Sequence, residues 1–152
     1  MKYLIIFVVS VLFSGICTAQ KVKIKDNIAT IDDETFLNVD RRNMGNEISI
    51  KHVNSENEEI FIAYISYKDP KQITKANPEG YVRWLDFYFP ELSIRCEIEN
   101  RTQKGLVKFI YENNLYIDGT LSPENCQKLV NKYGMRFTEN RPNGNINIII
   151  NN

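Results

Sequence analysis

The chain has 152 residues, with 19 basic and 19 acidic side chains and a single histidine. That balance removes the electrostatic reason to bind nucleic acid or an anionic membrane. At 43% hydrophobic residues, the length suits one domain that holds a core without staples.

In chain order, Lys2 precedes an apolar run from Leu4 to Phe13, then Ser14-Gly15 and the small-residue exit Cys17-Thr18-Ala19. A basic start, a short apolar core and a small-x-small exit read as a secretory signal peptide over residues 1–19, cleaved to leave Gln20 first. The run is too short to cross a bilayer, which takes ~20 apolar residues. The expectation is therefore a periplasmic or secreted protein with no integral membrane segment after cleavage. Lipidation of Cys17 is the competing outcome, but Ile16 is a poor residue before a lipoprotein cysteine.

A single α+β domain is expected over 20–134. Val22 and Ile24 alternate with lysines, and Asp26-Asn27 is a turn. Ile28 to Ile31 and Thr35 to Val39 are short strands around Asp32-Asp33-Glu34. Asp40 to Asn46 is a loop, and Glu47 to Val53 with Glu59 to Tyr67 forms a hairpin. Lys68 to Gly80 holds Asp69-Pro70, Asn77-Pro78 and Glu79-Gly80, and its 13 residues make it the longest internal loop.

Tyr81 to Phe89 and Leu92 to Glu99 read as a hairpin around Pro90-Glu91. The pattern pairs Phe89 with Leu92, Phe87 with Ile94 and Leu85 with Cys96 on an apolar face. The other face pairs Tyr88 with Ser93, Asp86 with Arg95 and Trp84 with Glu97. Period 3.6 then replaces period 2. Asn100 is read as a helix cap with Gln103 in its capping box, before the stripe Leu106, Phe109, Ile110, Asn113. Asp118-Gly119 is a turn, and Ser122-Pro123 starts a second helix carrying Cys126, Leu129, Val130 and Tyr133 on one face. Gly134 ends it. Residues 135–152 read as a polar tail, with Ile146 to Ile150 either a late strand or disordered.

Strands first and helices last predict an α+β fold, an antiparallel sheet of hairpins with two C-terminal helices on one face. Trp84, Tyr88 and Val82 point away from that face. They are either covered by sheet curvature and the loop 68–80, or they form an aromatic binding surface.

Reactive constellations are sparse. His52 shares strand parity with Ile48 and Ile50, and a structural role outweighs a Cys–His nucleophilic pair with Cys96 or Cys126. Both cysteines point toward the sheet–helix interface. A disulfide between them is geometrically open, with two buried thiols as the default. No metal-ligand spacing appears. Asp32-Asp33-Glu34 reads as a charged turn rather than a calcium loop. Asn100-Arg101-Thr102 is a glycosylation sequon, read first as helix cap.

The segments Phe109-Ile110-Tyr111-Glu112-Asn113-Asn114-Leu115, Ile117-Asp118-Gly119-Thr120-Leu121 and Lys132-Tyr133-Gly134 are similar to the C-terminal half of small uncharacterised exported proteins of Bacteroidetes. Those also begin with a signal peptide ending near Ala-Gln, as Ala19-Gln20 does here. The resemblance covers residues 100–134 and implies export and β-hairpins followed by two helices. It carries no catalytic residue across. The leading expectation is a non-catalytic exported binding domain, inhibitor-like or immunity-like, whose partner is a protein or envelope component, with no cofactor and no metal. An envelope hydrolase of unrecognised type and a structural envelope component are the alternatives.

Overall fold

The structure, a computed structural model, describes residues 20–140. The stretch expected to be a signal peptide, 1–19, and the stretch 146–150, read as a late strand or disordered, lie outside the described residues. Seven antiparallel strands follow one another in space in their chain order. They are β1 (Val22–Lys25), β2 (Ile28–Ile31), β3 (Glu34–Arg42), β4 (Glu47–His52), β5 (Ile60–Lys68), β6 (Tyr81–Phe89) and β7 (Ile94–Glu99). Then come helix α1 (Gln103–Glu112), the small hairpin β8 (Tyr116–Ile117) and β9 (Thr120–Leu121), helix α2 (Pro123–Tyr133) and the single turn α3 (Arg136–Glu139). The fold is α+β, as the sequence predicts.

Turn chemistry sets the first hairpins. Asp26-Asn27 and Asp32-Asp33 both hold positive φ at two successive residues, between 50° and 69°. Two-residue loops of this kind match the right-handed strand twist, and Asp and Asn tolerate them best after glycine. Asp32 and Asp33 serve this turn: the Lys21 amide donates to Asp32 at 2.9 Å and Lys23 pairs with Asp33, while Glu34 begins β3. Asp40 to Arg42, read as loop, instead extends β3, whose register runs to Arg42 opposite Glu47. The true turn is Asn43–Gly45.

The β6–β7 register differs from the expected one by two residues. Phe89 lies opposite Ile94, Phe87 opposite Cys96 and Leu85 opposite Ile98. Asp86 faces Glu97, and Trp84 faces Glu99. Period-2 patterning fixes which face a side chain takes but not a slide by two. The turn decides the slide. Pro90–Leu92 forms a 3₁₀ turn, the Ser93 amide donates to the Pro90 carbonyl, and Ser93 takes φ 52°, so four residues lie outside the strands. Both faces survive. Arg95 still reaches Asp86 diagonally at 2.7 Å.

The core lies between the sheet and the helices. Leu37, Val39, Ile48, Ile50, Ile60, Ile62, Leu85, Phe87, Phe89, Cys96 and Ile98 are fully or almost fully buried on one sheet face. α1 adds Leu106, Val107, Phe109 and Ile110, and α2 adds Cys126 and Leu129. α1 reaches β1 and α2 reaches β7, so the helices span the sheet from edge to edge. The cap of α1 is Thr102 rather than Asn100: its hydroxyl accepts from the Gly105 amide at 3.1 Å. Ser122 caps α2 as expected, accepting from the Asn125 amide at 3.3 Å, with Pro123 in the first turn.

Candidate binding surfaces

The second face of the sheet divides into two halves. On β5–β7 it is aromatic. Trp84 is 1% exposed, with Tyr67 edge-on at 5.8 Å and Phe137 stacked parallel at 5.5 Å. Phe137 arrives there because the chain beyond α2 climbs over the outer edge of β7. The Glu97 amide donates to the Gly134 carbonyl at 2.8 Å, which turns the chain across that edge. Glu97, buried under the turn, then accepts from the amides of Phe137 and Thr138 at 2.7 and 2.8 Å and from the Thr138 hydroxyl. A carboxylate on the amides of a first helical turn satisfies donors that would otherwise have no partner. Arg136 completes the clasp through Glu99.

The cover over Trp84 is thus residues 135–140, the start of the segment read as a polar tail. The sequence signal was small: one aromatic, Phe137, placed just past Gly134. The loop 68–80 contributes only the rim. Between that rim and α3 lies a cleft of about 490 Å³, lined by Tyr67, Tyr81, Val82 and Phe137 with Asp69, Lys71 and Arg136. Val82 is therefore in the cleft and Trp84 is buried against Phe137, which lines it. Tyr88 is elsewhere, opposite Phe61 and Arg95, with the Arg95 guanidinium 5.9 Å above its ring. Nearby, burial pushes the Asp86 carboxyl above its ordinary value, against the pull of Arg95.

His52 ends β4 beside Tyr116, their rings 6.0 Å apart. Glu59, nearly buried, draws them together: its Oε2 accepts from the His52 amide at 2.6 Å and from the Tyr116 hydroxyl at 2.9 Å. Burial, reinforced by Glu59, pushes the Tyr116 hydroxyl far up, so it stays a neutral donor. His52 Nδ1 accepts from the Asn54 amide, and the ring lies against Gly119 (φ 77°), where a Cβ would stand 2.9 Å from it. The arrangement pins the β4–β5 connection to the β8–β9 hairpin. It presents no activated nucleophile. Cys96 and Cys126 are buried and free, and burial pushes both thiols up to about 12. At neutral pH they are protonated, and the thiolate is the reactive form.

Two further openings flank the sheet. A cavity of about 270 Å³ on the polar half of the second face is lined by Asn38, Asp40, Arg42, Ser49, Lys51 and Glu58. Arg42 binds Asp40 at 3.0 Å and Glu58 at 2.9 Å, so its charges answer one another. A notch of about 420 Å³ on the helix-bearing side is lined by Arg41, Met44, Asn46, Tyr64, Ser66, Arg83 and Asn100. Among the described residues no cluster of His, Cys, Asp and Glu is placed to hold a metal ion, and no helix is long and apolar enough to cross a membrane. Compared with protein-family models, with curated proteins and with solved structures, the chain matches none.

Proposed function

We propose that the protein is an exported, non-catalytic binding domain, akin to the small exported proteins of Bacteroidetes that residues 100–134 resemble, and that its partner is a protein or other component of the cell envelope. The observation that carries this reading is the aromatic-walled cleft over β5 and β6. Its volume of about 490 Å³ lies within the range of ligand sites, ~300–1,000 Å³. Tyrosine, phenylalanine and arginine, the types that dominate interface centres, make its walls. The reactive residue types, by contrast, are committed to structure: His52 to its turn and both cysteines to the core.

The test is capture from the native envelope by the mature chain, with Val82→Arg as the comparison. Val82 is half-buried at the cleft wall, so the substitution fills the cleft without opening the core. The expected result is a specific envelope component retained by the parent and lost at least tenfold with Val82→Arg. Trp84, the only tryptophan, should shift its emission on binding through Phe137. Equal capture by both chains, with unchanged emission, refutes the reading. Export is checked separately by the intact mass of the released protein, expected to begin at Gln20.

A further inference from the structure

Strand β5 is longer than its neighbour β4. Their pairing ends with Glu47 opposite Ala63, and one further bond joins the Tyr64 amide to the Asn46 carbonyl at 2.8 Å. On its other side β5 stays paired with β6 as far as Lys68 opposite Tyr81. Among the described residues, Ile65 to Lys68 therefore have a strand on one side only. At ~3.4 Å per residue this leaves ~13 Å of open edge inside the sheet rather than at its margin.

The direction of the backbone groups follows from alternation along an antiparallel strand. The Tyr64 amide points toward β4, and the Asp69 amide points the other way, to the Gly80 carbonyl at 2.8 Å. Ser66 and Lys68 share the parity of Tyr64. Their amides and carbonyls face past the end of β4, and Ser66 lines the notch.

The walls of the notch are cationic. Arg41 and Arg83 both line it, and among the described residues no aspartate or glutamate does. Neither arginine is ion-paired among the described residues, whereas Arg42, Lys68, Arg95 and Arg136 each have a carboxylate. Arg41 is braced: its guanidinium lies so close to Gly45 (φ 89°) that a Cβ there would stand 2.4 Å from Nη2. Arg83 rests 4.6 Å over the Tyr81 ring. Tyr64, its pKa raised by burial, stays neutral and its hydroxyl donates a hydrogen bond to the Arg101 carbonyl. At the lip, Met44 is 86% exposed and takes φ 55°, a left-handed conformation that costs a non-glycine residue energy.

We propose that this notch binds an extended acidic segment of a partner protein, which adds as a strand to the open edge at Ser66 and Lys68 and sets its carboxylates against Arg41 and Arg83. Strand addition supplies main-chain hydrogen bonds, and the arginines select acidic side chains. Guanidinium groups without a counter-charge are the groups best shaped for carboxylates. Met44 offers a flexible apolar contact to the residue that precedes or follows. The site is distinct from the aromatic cleft and stands or falls without it.

The experiment uses the mature chain, labelled for amide NMR, and a capped hexapeptide of alternating valine and glutamate. The controls are the same peptide with glutamine for glutamate, and inorganic phosphate. The expected result is saturable binding with shifts centred on Ser66, Lys68, Arg41 and Arg83, weakened at least tenfold by the glutamine peptide and by rising salt. Arg41→Gln with Arg83→Gln should weaken binding at least tenfold. Ser66→Pro should abolish it while leaving the arginines in place, because proline removes the amide that faces the notch and spares the bonds to β6. If either variant unfolds, the wild-type shift map still decides. Equal binding of the neutral peptide, shifts that avoid Ser66, or phosphate binding with no peptide binding each overturns the proposal.

Discussion

Asp86 and Leu85 are adjacent in sequence and opposite in consequence. Leu85 is fully buried, so Leu85→Ala should lower stability by roughly 2–5 kcal/mol in denaturant melts through the cavity it leaves. The Asp86–Arg95 pair is open to water on its Arg95 side and mostly buried on its Asp86 side, and losing it should cost about 1 kcal/mol, less than the Leu85 cavity. Asp86 should also leave a pH signature. Burial raises its folded pKa above the unfolded value of ~3.9, so the folded state binds the proton more tightly. Its contribution to stability is therefore present below that value and lost as pH rises through the folded pKa. Asp86→Asn should flatten this part of the stability profile, and an unchanged profile would mean the side chain is solvated. The thiols give a sharper readout. With Cys96 and Cys126 both pushed up to about 12, a disulfide-exchange reagent at pH 8 should find neither in the native chain and both after denaturation.

The turn α3 is an element of four residues whose Phe137 and Thr138 amides are held by one carboxylate, Glu97. Glu97→Gln keeps the shape but removes the charge that the Phe137 and Thr138 amides surround. Phe137→Ala removes the ring stacked on Trp84. Either should red-shift tryptophan emission and raise its quenching by acrylamide, with the larger change for Phe137→Ala. Emission that stays blue and protected in both would place the cover of Trp84 elsewhere. This element also marks the boundary of what the sequence carried. The strands of the seven-stranded sheet, the Ser122-Pro123 start and the Asp-rich turns were legible because each is written in local chemistry, a period of two, a cap or a left-handed pair, while β8 and β9 read only as the turn Asp118-Gly119. The faces of β6 and β7 were legible for the same reason, while their register was not, since a slide of two leaves every face unchanged. The clasp of Glu97 on residues 137 and 138 joins positions forty apart and has no local signature. The notch was equally hidden, because it arises from a difference in length between β4 and β5 rather than from any residue type. Val82 and Trp84 were rightly placed on one face, but the sequence held nothing to separate them from Tyr88.

At the scale of the molecule, every strand among the described residues pairs only with its chain neighbours, so most sheet contacts close short loops. Chains with such local topology fold fast for their β content. The same order leaves two outer edges, and they are handled differently. β7 is closed by the molecule's own chain, through Gly134 and the residues that follow. β1 is four residues long, with Lys23 and Lys25 between its apolar positions. Short edge strands bearing lysine resist pairing with a second chain. Replacing Lys23 and Lys25 by valine should leave the thermal midpoint almost unchanged and yet produce turbidity on standing at high concentration. The meander is thus guarded by a seal at one end and by charge at the other. The seal rests on main-chain hydrogen bonding and packing and the other guard on side-chain charge, so salt should weaken colloidal stability chiefly from the β1 end.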